Sequence, residues 1–139
     1  MNYAVRKVRE YALAIATEAI DNYDVDGLEW DFCRFPRVFP EGTTRDNAHL
    51  MTDLIGSLRQ ALDKNGDQVG RRLEMAVRVP LSIDLAAAFG LDVEEWIRLG
   101  LIDIVTAGVV HGNLHRIPVE SFVKAAEGTG VAVVLTATP

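Results

Sequence analysis

The sequence has little of what marks several large classes of protein. Among its 139 residues there is one cysteine, Cys33, so an internal disulfide cannot form and stability must come from packing. No apolar run approaches the roughly 20 residues that a membrane-spanning helix needs. Acidic residues outnumber basic ones by 20 to 14 and the basic residues are scattered, which argues against nucleic acid or an anionic membrane as the main partner.

Nucleotide-binding and metal-binding signatures are absent as well. No candidate strand is followed by GxGxxG or by GxxxxGK and a hydroxyl residue, so no nucleotide or other cofactor is expected. His111 and His115 are four residues apart, but Gly112 and Asn113 between them predict a loop, and no carboxylate or cysteine completes a ligand set. We therefore predict no metal site.

The composition is that of an ordinary globular domain, with 49% hydrophobic and 24% charged residues. A chain of this length is large enough to bury a core, and no low-complexity linker divides it. We predict one domain over residues 1–139. The sequence does not indicate the cellular compartment, because proteins without disulfides occur both inside and outside cells.

Hydrophobic periodicity predicts helices alternating with strands. The predicted helices cover residues 5–22, 46–64, 82–90, 93–99 and 118–127, and the predicted strands cover 26–32, 73–79, 102–107 and 131–136. Gly66 is expected to stop the second helix, and Ser82 and Asp92 are expected to cap the next two. The last strand, almost continuously apolar, is expected to be buried on both faces.

This order predicts an α/β fold of parallel strands joined by right-handed crossovers. A complete (β/α)8 barrel takes about 250 residues, or roughly 30 per unit. The chain therefore supplies four to five units, which favours a partial TIM barrel with about four strands, a fragment of a larger barrel domain. A doubly wound open sheet is the other arrangement that fits this length.

The most informative segment is VDGLEWDFCRFPRVF, which begins at Val25. Successive side chains of a strand point to opposite faces, so Glu29 and Asp31 share one face. Leu28, Trp30 and Phe32 share the other, apolar face and should pack against helices. In a barrel the acidic face would point into the lumen near the strand's C-terminal end, where TIM barrels carry out their chemistry.

Two separated blocks, YDVDGLEWDFCRFPRVF and RVPLSIDLAAAFGLDVEEWIRLGLIDIVTAG, resemble one protein family. They are similar to the central portion of the glycoside hydrolase-like TIM barrels of bacteria, and the resemblance runs from about residue 23 to residue 108. It implies that the four predicted strands are strands four to seven of the barrel. The matching positions are Asp24, Asp26, Gly27, Glu29, Asp31, Arg34, Phe35, Pro36, Arg78, Val79, Pro80, Gly90, Leu91, Asp92, Trp96, Ile102 and Asp103.

The chemistry that this resemblance implies is carbohydrate hydrolysis by paired carboxylates. Asp31 is the first candidate for a catalytic carboxylate because it lies nearer the strand end. Glu29 lies one layer deeper, about 6.6 Å away between Cα atoms, and is the candidate for an orienting or charge-balancing role. Arg34 and Arg78 are candidates either to pair with Asp31 or to bind a sugar hydroxyl.

Other residues near the predicted site are candidates for substrate contacts. Phe35 and Phe39 could form an apolar platform for a sugar ring, and His111 could reach substrate from the loop after the third strand. Cys33 follows a buried strand and is expected to be an inert thiol. Trp96 has core spacing within a helix and is expected to pack.

Two alternatives to an enzyme stay open. The same acids and arginines could bind sugar without turnover, or only one another, in a non-catalytic carbohydrate-binding or scaffold barrel. A small α/β domain could also pair its open sheet edges with a second copy, forming a homodimer. The second carboxylate is not evident, since Glu74 falls at the start of its strand and the last strand carries no acid. We therefore expect the isolated chain to be inactive.

Overall fold

The computed structural model describes residues 2–108 and 118–136. Over these residues the chain forms four strands: β1 (Gly27–Asp31), β2 (Glu74–Val79), β3 (Ile104–Gly108) and β4 (Ala132–Thr136). Its helices there are α1 (Arg6–Asn22), α2 (Thr44–Val69), α3 (Ile83–Ala88), α4 (Val93–Arg98) and α5 (Glu120–Ala126). None of these helices has the length and apolar character to cross a membrane.

The four strands form one parallel sheet in the order β1-β2-β3-β4. In a doubly wound sheet the strand order reverses at a switch point and helices cover both faces. Among the described strands the order never reverses, and Glu29, Asp31 and Val134, on the face away from the helices, are exposed. The structure is therefore the α/β wall of a partial TIM barrel, as predicted, and the doubly wound alternative is wrong.

The two faces of β1 have the predicted environments. Leu28 and Trp30 pack against the core on the helix side, and Phe32 just beyond the strand is buried. The Phe32 ring lies 5.8 Å from the buried ring of Trp96 between centroids. The predicted packing roles of Trp30 and Trp96 are confirmed, and the acidic residues of β1 are left on the opposite face.

Helix α2 is longer than its periodicity predicts, and Gly66 does not end it. The helix continues to Val69 and is closed by Gly70, whose φ of 73° is the left-handed conformation of a C-terminal cap. Gly66 is buried inside the helix, where a Cβ would lie 2.6 Å from the Arg71 carbonyl oxygen. The lack of a side chain at Gly66 therefore allows the segment that leads to β2 to pass close to the helix.

The predicted caps of the two short helices are confirmed. The Ser82 hydroxyl accepts a hydrogen bond from the Leu85 amide at 3.2 Å, and the Asp92 carboxylate accepts one from the Glu95 amide at 3.2 Å. Each cap satisfies an amide that has no partner within its own helix.

Two burial predictions are wrong. Within residues 5–22 the helical spacing of the apolar residues predicts a buried stripe that includes Ile15, yet 52% of Ile15 is exposed and Ile20 is buried instead. The strand β4 was expected to be buried on both faces, but Val134 and Leu135 are 42% and 47% exposed. The reason is position, because β4 is an edge strand of the sheet and nothing in the described residues covers its outer flank.

A polar cluster holds the N-terminal ends of β2 and β3 together. Asp103 accepts hydrogen bonds from Arg59 at 2.9 Å, from Arg72 at 2.7 and 3.0 Å, and from the Met75 amide at 2.8 Å. Arg59 is buried and also donates to the Leu73 carbonyl at 2.7 Å. Asp103, although it matches the resembled family, is therefore a structural residue at the end of the sheet that faces away from the site.

A second ion-pair cluster fixes the start of β1. Arg71 is paired with Asp24 at 2.7 Å and with Asp26, and it donates to the Val25 carbonyl at 3.1 Å. Asp24 and Asp26 thus anchor the loop before β1, at the N-terminal end of the sheet. They lie on the stability side of the barrel wall and not at the predicted mouth.

Candidate functional site

The carboxyl ends of β1 and β2 bring Asp31 and Arg78 together. The two residues are register partners in the parallel ladder, and Arg78 Nη1 lies 3.2 Å from Asp31 Oδ2. The other carboxylate oxygen, Oδ1, accepts a hydrogen bond from the Cys33 amide at 2.7 Å. Asp31 is thus held in one orientation by two donors while 39% of its side chain remains exposed to the open face.

Glu29 lies on the same face one layer deeper. Its register partner is Ala76, which is paired in turn with Ile104, so the neighbouring strands offer no charged partner in that layer. The Glu29 side chain is exposed and makes no hydrogen bond or ion pair with any residue of the described ranges. Glu29 therefore lies beneath the anchored Asp31 without a hydrogen-bond or ion-pair partner among the residues that the structure describes.

The two candidate arginines differ in their surroundings. Arg78 is the one that pairs with Asp31, across the β1–β2 ladder. Arg34 lies on the loop after β1, is exposed, and forms no ion pair within the part of the chain that the structure describes. Of the two arginines, Arg78 is thus the ion-pair partner of Asp31. A contact between Arg34 and a sugar stays a prediction.

The aromatic residues of the loop after β1 do not share one role. Phe35 is 78% exposed and lines a cleft of about 280 Å³ beside the end of β1, together with Trp30, Asp31 and Arg37. Phe39, in contrast, is buried in the core, where its ring packs so closely on Gly90 that a Cβ there would lie 2.8 Å away. The prediction that Phe39 offers a platform to a sugar ring is therefore wrong.

Cys33 is a structural neighbour of the site. Its Sγ donates to the Gly108 carbonyl at 3.3 Å, which ties the loop after β1 to the end of β3. Burial raises the pKa of the Cys33 thiol to about 11, and the negative charges of Asp31 and Glu29 add to the effect against the opposing influence of Arg78. The group is protonated at neutral pH, as expected for an inert thiol.

Sequence reasoning missed the residues that shape the far side of the site. The register places Thr106 beside Arg78, and Thr106 is buried. Gly108 ends β3, and a Cβ there would overlap the Thr136 hydroxyl and lie 3.5 Å from Arg78 Nε. A glycine at a strand end is a signal of such close approach, but the sequence does not say which side chains fill the space.

His111 lies in the segment 109–117, outside the described residues, so its predicted contact with substrate stays a prediction. Over the residues that are described, no three His, Cys, Asp or Glu side chains lie close enough together to hold a metal ion.

Comparison with known proteins shows similarity in structure only. No family model matches the sequence, and no curated protein matches it. One similar solved structure is a novel glycoside hydrolase family 18 N-acetylglucosaminidase from Paenibacillus barengoltzii, with a TM-score of 0.63 and 20% identity. Another is a chitinase from Bacillus thuringiensis, with a TM-score of 0.61 and 17% identity.

Both matches cover 96% of this chain, but the chain spans only 45% and 25% of the two solved structures. At these identities the likeness is one of fold. The chain thus has the fold of part of a TIM barrel, with an ion-paired carboxylate at the carboxyl edge of its sheet.

Proposed function

We propose that the carboxyl edge of the sheet is a carbohydrate site and that the chain contributes it to a glycoside hydrolase barrel that acts through Asp31. The observation that carries this proposal is the anchoring of Asp31. Its side chain is oriented by the Cys33 amide and by Arg78, yet it remains open to the face where a barrel binds its substrate. A carboxylate held in this way is preorganised for a charge that develops above it.

The partners of Asp31 determine which of the two carboxyl roles it suits, that of the general acid or that of the nucleophile. A carboxylate that is ion-paired with a guanidinium is a poor proton donor but a good nucleophile or stabiliser of positive charge at an anomeric carbon. In our proposal Asp31 takes that role. Glu29, which has no bound partner in the described structure, is proposed as the second carboxyl group of the pair.

The substrate contacts that we propose lie around the same strand end. Phe35 presents its exposed ring beside the cleft that Asp31 lines, where it can stack against the apolar face of a sugar. Arg34 projects from the same loop without an ion-pair partner among the described residues, which leaves its guanidinium available for hydroxyl groups. His111 is proposed to approach from the loop after β3.

One observation favours a second candidate function, a carbohydrate-binding barrel without turnover. In the layer of the sheet that contains Asp31, the register partners are Arg78, Thr106 and Val134, none of which is an acid. The commonest mechanism of glycoside hydrolysis uses two carboxyl groups that flank one bond. If Glu29 is too deep to reach the leaving oxygen, the site binds sugar and does not cleave it.

Hydrolysis of chromogenic glycosides and of N-acetylglucosamine oligomers by a complete barrel that contains this chain tests the proposal, since the two similar structures are named for enzymes of that sugar class. We expect Asp31→Asn to lower turnover by at least about a hundredfold while the fold is retained. The control is Asp53→Asn, an exposed acid on α2 that should leave turnover unchanged. Equal turnover in both variants would remove Asp31 from the reaction, and saturable sugar binding with no turnover would favour the binding barrel.

A further inference from the structure

Three hydrogen bonds hold the turn that follows β1, and they link the ends of three strands. The Phe32 amide donates to the Arg78 carbonyl at 2.8 Å, which extends the β1–β2 ladder by one residue. The Cys33 amide donates to Asp31 Oδ1 at 2.7 Å, and the Cys33 thiol donates to the Gly108 carbonyl at 3.3 Å. Cys33 therefore joins the candidate carboxylate on β1 to the end of β3, across the strand that lies between them.

We propose that Cys33 is a positioning residue, whose thiol, hydrogen-bonded to the Gly108 carbonyl, holds in place the backbone amide that orients the Asp31 carboxylate. This role rests on the proposed function, in which Asp31 is the reacting carboxylate. An aspartate can accept a hydrogen bond from the amide two residues later only while the backbone between them keeps a tight turn. A side-chain contact made by that later residue stabilises the turn, so the thiol acts on the carboxylate through the amide.

The residues on either side of Cys33 show why its own side chain matters. Phe32, before it, is buried and packs against Trp96. Arg34 and Phe35, after it, are both exposed. Phe32 thus fixes the backbone on one side of the Cys33 amide. The thiol contact fixes the other side, where the following residues lie in solvent and do not pack against the core.

The donor and the acceptor of this contact are both suited to it. Burial raises the pKa of the Cys33 thiol to about 11, so the thiol keeps its proton at neutral pH and can donate to a carbonyl. The acceptor belongs to β3, which is hydrogen-bonded to β2 and to β4. Close packing also surrounds it, since a Cβ at Gly108 would overlap the Thr136 hydroxyl and lie 3.5 Å from Arg78 Nε. The thiol is therefore held by an inner strand of the sheet.

The side-chain conformation of Asp31 tests the proposal without any sugar. NMR three-bond couplings of Asp31 in the unmodified chain should show one χ1 rotamer, and the Cys33 amide should exchange slowly with solvent. Cys33→Ala should average the couplings and speed exchange of the amide at position 33 by at least about tenfold. Cys33→Ser, which keeps a hydrogen-bond donor, should restore both. Ser57→Ala is the matched control, because it removes a side-chain hydrogen bond of 2.8 Å to the Asp53 carbonyl on α2.

Three results of these measurements would overturn the proposal. The Asp31 couplings could already be averaged in the unmodified chain, in which case the carboxylate is not held at all. Asp31 could keep one rotamer in Cys33→Ala, which would mean that the turn holds without the thiol. The couplings could be averaged equally in Cys33→Ser and Cys33→Ala, which would mean that the hydrogen bond to Gly108 is not what orients the carboxylate.

Turnover by a complete barrel that contains this chain distinguishes positioning from substrate binding. We expect Cys33→Ala to lower kcat about tenfold with KM changed less than about twofold, because the carboxylate is misoriented while the sugar contacts are intact. Cys33→Ser should recover most of the loss in kcat. A raised KM with kcat unchanged would assign Cys33 to binding and contradict the proposal. If the unmodified barrel shows no turnover, the proposed hydrolase fails, while the couplings of Asp31 still decide whether Cys33 positions it.

Discussion

The two ends of the sheet should respond very differently to the loss of one carboxylate charge. At the N-terminal end Asp103 accepts hydrogen bonds from the buried guanidinium of Arg59, from two N–H groups of Arg72 and from the Met75 amide. Breaking a buried pair costs about 3–5 kcal/mol. Because Arg59 keeps a second partner, Asp63, at 2.7 Å, we expect Asp103→Asn to cost about 3 kcal/mol, the lower end of that range.

At the carboxyl end, Asp31 is more than a third exposed and its pair with Arg78 spans 3.2 Å. Pairs of this kind contribute below about 1 kcal/mol, so Asp31→Asn should be close to neutral for stability. For a domain of this size the expected loss in Tm is about 10 °C for Asp103→Asn and below about 4 °C for Asp31→Asn. Thermal and urea unfolding at pH 7 measure both values.

Equal losses in the two variants would mean that Asp31 is a structural residue like Asp103, contrary to this prediction. A loss below about 1 kcal/mol for Asp103→Asn would show that the cluster around Arg59 is better solvated than its burial indicates.

Further predictions concern two glycines, Gly27 in β1 and Gly56 in α2, and the thiol of Cys33. Gly27→Ala should destabilise by at least about 2 kcal/mol, since its Cβ would overlap the Glu74 backbone. Gly56→Ala, with its nearest neighbour 4.0 Å away inside a helix, should instead stabilise by about 0.5–1 kcal/mol, and urea unfolding distinguishes the two. With its pKa raised to about 11, Cys33 should react with a disulfide reagent at pH 8 about a hundredfold more slowly in the folded chain than in the unfolded one, and the folded rate should rise with pH up to that pKa. Similar rates in both states would contradict this expectation.

The sequence allowed the order of elements and the faces of β1 to be predicted because both depend on local patterns. Alternating polarity places Glu29 and Asp31 on one side of a strand wherever that strand lies in the fold. The caps at Ser82 and Asp92 were predictable for the same reason, since each depends on residues within three positions.

The errors concern features that depend on distant parts of the chain. Periodicity places Ile15 on an apolar stripe but cannot tell which part of the stripe faces the sheet. Gly66 looks like a helix stop, and only the return of the chain at Arg71 shows that it serves close packing. The exposure of β4 follows from its place at the edge, which depends on the order of all four strands.

The site itself was predicted in part. Asp31 and its position at a strand end follow from the sequence, but the choice of Arg78 over Arg34 as its partner depends on the register between β1 and β2. Phe39 was misplaced because a loop residue of that size can turn inward as easily as outward. Its contact with Gly90 lies 51 positions away in the chain.

In the proposed function a sugar binds at the carboxyl ends of β1 and β2. Titration of the chain with N-acetylglucosamine oligomers, followed by amide chemical shifts, tests this binding, because a hydrolase and a barrel that only binds sugar both require it. We expect saturable shifts at Asp31, Phe35 and Arg78, and their loss in Asp31→Asn but not in Asp53→Asn. Shifts confined to the opposite end of the sheet around Asp103, or binding that is unchanged in Asp31→Asn, would contradict the claim.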